Sequence, residues 1–286
     1  MVSVYLISYF FALFSICSIW IFEKKIFAAI FLGIAIATAY IVNIITTEAL
    51  FYTLCYLLAT TVYYKAKTRV STKILLWFII FISAFALGSN WLNGFHQWKI
   101  ISDEIISKDA IPYSLNLYFD TIIASMGILI YACNPSRKVI YYKYMLVKVF
   151  PFSVVVMSML FFGVIFFHIV KVDLKVPNFW LIWLMSNLLI TCVTEETIFR
   201  LFMQGTLSRI LATYKFRGVI SILIPSVFHA AYYMPVPMAS YITLMAMSCC
   251  YGYVYYITKR IEASIIMHLV MNSVHFFVFT YPQLQT

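Results

Sequence analysis

The sequence predicts an all-α protein, a polytopic transmembrane helix bundle of about 8–10 spans. Hydrophobic residues make up 64% of the 286 positions and charged residues only 10%. The mean hydropathy is +0.95. A soluble domain averages roughly 45–50% apolar and about 25% charged residues. Apolar runs long enough to cross a bilayer, at about 20 residues each, begin near residues 2, 26, 49, 73, 117, 144, 178, 218, 238 and 263.

The charged residues predict an orientation for these runs. Lys and Arg outnumber Asp and Glu by 20 to 10, and the excess lies in short loops, which is typical of topology control and not of nucleic-acid binding. Basic loops stay in the cytoplasm, so we expect both termini on the other side of the membrane. The longest loop, 93–116, is expected outside the cytoplasm and is predicted to hold a short surface helix or turn. The basic segments that follow the odd-numbered runs are Lys24-Lys25, 65–69, 134–138, 208–217 and 258–260.

Two adjacent carboxylates interrupt the run that begins near residue 178. An ionisable residue inside a membrane helix costs about 2.5–3.5 kcal/mol, so it usually marks function or a buried partner. Glu196 and Arg200 are four residues apart and can pair on one helical face, with the arginine reaching towards the interface. Glu195 points about 100° away from Glu196. Because it lies outside that pair, Glu195 is the stronger candidate for a functional role.

Three further polar residues lie in apolar runs downstream. His229 occurs in one run, and His268 and Asn272 occur four residues apart in another, on one helical face. A single histidine in an apolar helix is more often a packed interior residue than a catalyst. Glu195 and His229 are 34 residues apart, and His229 and His268 are 39 residues apart. Each separation is about one helix plus its connection, so the three side chains can meet between neighbouring helices, where helix bundles commonly have their ligand sites.

These residues resemble a known family. The stretch EETIFR (195–200) is similar to the EExxxR motif, and HLVMN (268–272) to the HxxxN motif, of the CAAX protease and bacteriocin-processing (CPBP, or Abi) family. That family includes the type II CAAX prenyl endopeptidases, known as Ras-converting enzymes. Its middle motif is FxxxH, but here Pro225 holds the position four before His229. The resemblance divides the chain into variable N-terminal transmembrane helices (1–177) and a CAAX-protease-like catalytic core (178–286).

The resemblance implies an intramembrane endopeptidase. Glu195 lies about 17 residues into its run, which together with the predicted orientation places the site towards the cytoplasmic side. Glu195 and His229 would deprotonate a water molecule, His268 and Asn272 would stabilise the oxyanion, and Glu196 and Arg200 would support the helix. The expected partners are the lipid bilayer and a protein or peptide substrate, lipidated substrates included; no nucleic acid is expected.

Alternatives stay open for the cofactor and for the function. Glu195, His229 and His268 would also be an acceptable catalytic zinc set, with water in the fourth position, although the HExxH pair of many zinc proteases is missing. Pro225 departs from the FxxxH motif, so a second function stays open, that of a non-catalytic relative acting as an immunity or scaffold protein. Intramembrane Glu and His residues also build proton relays, so a proton-coupled transporter is a further alternative.

Overall fold

The computed structural model describes residues 2–135, 139–166 and 168–284. In this part of the chain the fold is predominantly helical, which confirms the predicted all-α class. Nine of its ten helical segments begin within three residues of a predicted start. The tenth, α6, begins five residues before its predicted start. Of the basic segment 134–138, residues 136–138 lie outside the described residues. The helices are α1 (Val2–Ile21), α2 (Ile26–Ile41), α3 (Thr47–Lys65), α4 (Val70–Gly88), α5 (Phe119–Ala132), α6 (Val139–Phe166), α7 (Trp180–Ile210), α8 (Arg217–Ala231), α9 (Met238–Thr258) and α10 (Ile261–Val278).

Three of the described helices, α4, α7 and α10, are long and apolar enough to cross a membrane. Other apolar helices are shorter: α2 has 16 residues, α5 has 14 and α8 has 15. At 1.5 Å per residue, α2, α5 and α8 would each extend over only about 21–24 Å. The lengths therefore identify a membrane protein, while the predicted number of spans, 8–10, stays a prediction.

The loop 93–116 contains a two-stranded sheet with a turn at Lys108–Asp109 between its strands, so the predicted turn is confirmed and the alternative of a short surface helix is wrong. Strand β1 (Trp98–Glu104) pairs with strand β2 (Tyr113–Leu117). Along β2 the buried residues alternate with half-buried ones, which is the period-2 pattern of a strand packed on one face. The alternation in YSLNL was visible in the sequence and favoured a strand.

The chain forms two compact units. The first contains the chain up to Trp98 together with Leu117–Pro135 and Leu189–Phe202. In it, the Tyr56 hydroxyl donates a hydrogen bond to the Ala124 carbonyl on α5 (2.6 Å). Gly127 is required next to this bond, because a Cβ atom at that position would collide with the Tyr56 ring.

The second unit contains the hairpin, α6, both ends of α7 and the helices α8–α10. The hairpin packs on Trp183 of α7, whose ring stacks on Phe276 of α10 with centroids 3.9 Å apart. A second buried cluster joins α6 to α9 and α10, the helices that carry the histidine His268 and its neighbours. That cluster consists of Met145, Val149, Tyr251, Val254, Ala263, Met267 and Met271.

Candidate active site

Helix α7 departs from regular α-helix on both sides of the two glutamates. Its segments Asn187–Cys192 and Thr197–Gln204 are π-helical, and the four residues Val193–Glu196 between them form a single α-helical turn. π-Helical stretches within α-helices occur frequently at functional sites. The local backbone therefore marks the turn with Glu195 and Glu196 as a candidate site independently of its side chains.

Glu196 and Arg200 form the predicted ion pair. The Arg200 Nε lies 3.3 Å from the Glu196 Oε2, and both side chains have no exposed surface. The expectation that Arg200 reaches towards the interface is wrong, because its guanidinium is fully buried. Removing one member of a buried pair costs about 3–5 kcal/mol, so this pair fixes the α7 segment that also carries Glu195.

Glu195 lies on the same turn and is 3% exposed. The adjacent Thr194 hydroxyl donates a hydrogen bond to the Thr121 carbonyl at the start of α5 (3.1 Å). The Thr197 hydroxyl donates to the Val193 carbonyl (2.6 Å). These two buried bonds hold the backbone of the turn on either side of Glu195.

The two predicted histidines lie next to each other. His229, near the end of α8, and His268, on α10, are 4% and 2% exposed, and their ring centroids are 5.6 Å apart. The His229 Nδ1 is 2.8 Å from the Ser248 hydroxyl on α9. The His268 ring stacks on Tyr251, also on α9, at 4.5 Å and 15° between the planes. Helix α9 therefore orients both imidazole rings.

Asn272 is held by a residue that the sequence analysis did not single out. Its Nδ2 donates a hydrogen bond to the Asn187 Oδ1 (3.1 Å), at the start of the first π-helical stretch. This bond sets the plane of the Asn272 amide, whose nitrogen carries two N–H groups.

Glu195, His229 and His268 form a buried group that could hold a metal ion. Each offers one ligand atom, a carboxylate oxygen or a ring nitrogen, and these atoms lie within 4.8 Å of one another. Zinc binds such atoms at about 2.0–2.2 Å in tetrahedral geometry, and its catalytic sites use three protein ligands and leave one position for water. The donor types and their number fit a catalytic zinc ion, and the ligand atoms would have to lie about 3.4 Å apart for all three to bind one tetrahedral ion.

The remaining histidines lie elsewhere. His96 and His168 are exposed, in the segment before β1 and after α6. His275 packs against Tyr281 near the end of α10, with ring centroids 5.1 Å apart. Three residues that contact the predicted site residues were not predicted from the sequence. They are polar residues inside apolar helices, namely Asn187, Ser248 and Tyr251. A search for every polar residue in the apolar runs would have found the first two.

The fold and the site together define the class, an α-helical membrane protein with a buried carboxylate and two imidazoles. Residues 177–274 match the family model described as type II CAAX prenyl endopeptidase Rce1-like. This match supports membership of the CAAX protease family, the family whose motifs the sequence resembles, and the matched segment contains every predicted site residue. No curated protein and no solved structure matches the chain.

Proposed function

We propose that the protein is an intramembrane endopeptidase that hydrolyses a peptide bond of a protein or peptide substrate. The observation that carries the proposal is the buried group of Glu195, His229 and His268, whose ligand atoms lie within 4.8 Å of one another. The match of residues 177–274 to a protease family supports the same reaction class. In this proposal residues 178–286 form the catalytic core and residues 1–177 form variable membrane helices.

Glu195 is the general base of the proposed reaction. A water molecule held between its carboxylate and His229 loses a proton to Glu195 as its oxygen attacks the peptide carbonyl carbon. The C–N bond of the resulting tetrahedral intermediate then breaks, and Glu195 passes the proton to the leaving amine nitrogen. General bases act on protons within hydrogen-bonding reach, directly or through one water. The Ser248 contact at Nδ1 sets the orientation of the His229 ring and thereby directs Nε2 towards the water.

His268 and Asn272 stabilise the oxyanion that forms when water attacks. Both are on one face of α10, and both are held by neighbours, His268 by the Tyr251 ring and Asn272 by Asn187. Donors that are oriented in advance stabilise developing charge without reorganising, and loss of one typically costs about 10²–10³ in rate. Glu196 and Arg200 keep the α7 turn in place and take no part in the chemistry.

The same three side chains would hold zinc if the enzyme uses it. Glu195, His229 and His268 would be the ligands, and the ion would supply an acidified water molecule and a Lewis acid. The roles of Asn272, Asn187 and Ser248 in binding and orientation are the same with or without the metal.

The proposal is tested by peptide cleavage with purified protein in detergent. The substrates are fluorogenic peptides, each offered with and without a farnesylated C-terminal cysteine motif, because the family name refers to prenylated substrates. Glu195→Gln and His268→Ala should abolish cleavage while the amount of folded protein is unchanged. His96→Ala, a histidine outside the site, is the matched control and should cleave like wild type.

Other outcomes of this experiment contradict the proposal. Cleavage by Glu195→Gln at the wild-type rate would mean that Glu195 is not the base. Absence of cleavage by wild type, with unchanged behaviour of both variants in cells, would favour the non-catalytic relative that Pro225 suggests. Solute uptake driven by a proton gradient and lost in Glu195→Gln would favour a transporter.

We also propose that the chain is multi-pass with the site towards the cytoplasm. The basic loops at Lys24-Lys25 and 65–69 would then be cytoplasmic, and the segment with Asp173 would lie on the other side. Single cysteines at Lys24 and Asp173, placed in a variant without native cysteines, should label from opposite sides with an impermeant maleimide. Labelling of both from one side would contradict the orientation.

A further inference from the structure

A long apolar groove lies between α2, α3 and α5 in the first unit. Its volume is about 450 Å³, within the range of roughly 300–1,000 Å³ that is usual for small-molecule pockets. Small residues on α2 create the space, above all Gly33, where an added Cβ atom would meet nothing within 4 Å. The groove follows α2 from Ala29 to Tyr40, which corresponds to about 17 Å of helix at 1.5 Å per residue.

The groove opens sideways, away from the protein. Gly33, Ala37 and Tyr40 on α2 are exposed, and so is Leu54 on α3. In a membrane protein such an opening on apolar helices faces lipid acyl chains. An extended hydrocarbon chain therefore has both the shape and the access to occupy it.

One end of the groove is polar and cationic. There the Tyr131 hydroxyl is hydrogen-bonded to the Thr61 hydroxyl (2.8 Å). The Lys25 ammonium donates to the Asn134 Oδ1 (3.0 Å) and to the Tyr131 carbonyl (3.4 Å). The Lys65 ammonium lies over the Tyr131 ring, 5.6 Å from its centroid. Two ammonium groups thus contact Tyr131 at this end of the groove, Lys65 at its ring and Lys25 at its backbone carbonyl.

The charges of the adjoining loops have the same sign. The loop before α2, the last residue of α3 and the loop after it carry five basic residues and one acidic residue, Glu23. Each lysine or arginine near an anionic membrane surface contributes about 1 kcal/mol of attraction. The five basic residues are Lys24, Lys25, Lys65, Lys67 and Arg69.

We propose that the groove binds one acyl chain of an anionic membrane phospholipid, with the phosphate at Lys25 and Lys65. The apolar walls hold the chain and the two ammonium groups select the charge of the head group. A bilayer phospholipid is the occupant that combines a long hydrocarbon chain with a phosphate at its end.

The test is lipid binding to purified, delipidated protein, measured by native mass spectrometry. Dioleoyl phosphatidylglycerol and dioleoyl phosphatidylcholine have the same chains and differ in charge. Wild type should retain one phosphatidylglycerol in preference to phosphatidylcholine. Gly33→Leu fills the groove and should reduce retention of phosphatidylglycerol at least tenfold. Gly163→Leu on α6, where an added Cβ atom also meets nothing within 4 Å, is the matched control and should bind like wild type.

The lysines are tested separately from the groove. Lys25→Gln with Lys65→Gln should lower the preference for phosphatidylglycerol about fivefold per lysine, since 1 kcal/mol corresponds to about that factor. Binding of phosphatidylcholine should be unchanged in this variant.

Three results would overturn the inference. One is equal retention of the two lipids by wild type, and another is retention by Gly33→Leu that equals that of Gly163→Leu. The third is displacement of the bound lipid by a farnesylated peptide at equimolar concentration, which would assign the groove to a substrate's lipid anchor. Glu195→Gln should bind phosphatidylglycerol like wild type, so this proposal can fail or hold independently of the proteolytic one.

Discussion

Arg200→Met is expected to destabilise the protein strongly, because it removes the cation that faces the buried Glu196 carboxylate. The two groups are 3.3 Å apart and neither side chain has any exposed surface. Loss of one member of such a buried pair costs about 3–5 kcal/mol, since the remaining charge keeps its desolvation penalty without the compensating attraction.

The expected shift in Tm follows from this free energy. A change of 1 kcal/mol moves Tm by about 2–4 °C in domains of roughly 150–250 residues. Arg200→Met should therefore lower Tm by roughly 6–20 °C. An arginine at the membrane interface, as the sequence predicted, would form an exposed pair worth about 0–1 kcal/mol, so the measurement separates the two situations.

The assay is thermal unfolding in detergent, followed by tryptophan fluorescence and by loss of soluble protein. Glu196→Gln combined with Arg200→Met removes both charges and should recover most of the lost stability. Lys99→Met is the matched control, because Lys99 and Asp103 have the same i,i+4 spacing and a 3.1 Å contact but side chains that are 43% and 73% exposed. That control should leave Tm unchanged. A shift for Arg200→Met no larger than that of Lys99→Met would refute the reasoning.

Three further predictions concern the chemistry. Ser248→Ala removes the contact to His229 Nδ1 and should lower kcat about 2- to 13-fold, because a hydrogen bond is worth about 0.5–1.5 kcal/mol. Tm should be nearly unchanged, and an unaltered kcat would exclude an orienting role for Ser248. Asn187→Ala should reduce kcat more than it raises KM, because Asn272 loses its fixed orientation, and Asn187→Asp, which keeps the acceptor, should restore most of the rate in the same kinetic assay. With Glu195 activating water directly, cleavage should persist in EDTA and phenanthroline; loss of activity that Zn²⁺ restores would instead identify a metal enzyme.

The positions of the helices were largely readable from the sequence, whereas their environment was not. Apolar runs predicted starts near 178 and 263, and the helices begin at Trp180 and Ile261. Run length and hydropathy depend only on local sequence, which explains this agreement. Burial depends on what packs against a helix, so the sequence could predict the Glu196–Arg200 pair but not that Arg200 is fully buried.

The candidate site likewise contains some residues that could be predicted from the sequence and others that could not. Glu195, His229, His268 and Asn272 were predicted because charged, imidazole and amide groups are rare within apolar runs. Ser248, Tyr251 and Asn187 are less conspicuous there, and their contacts join positions 19, 17 and 85 residues apart in the chain. Contacts over such separations depend on tertiary packing, which cannot be predicted from the helical periodicity of the sequence.

The π-helical stretches of α7 change the angle between two of its polar residues, Asn187 and Glu195, that belong to the proposed site. An unbroken α-helix turns 100° per residue, so Asn187 and Glu195, eight residues apart, would point about 80° from each other. Hydrogen bonds from i to i+5 hold more residues in each turn, so the stretch Asn187–Cys192 turns less per residue and reduces that angle. π-Helical stretches within α-helices occur frequently at functional sites, and those of α7 lie on both sides of the turn that carries the proposed base Glu195.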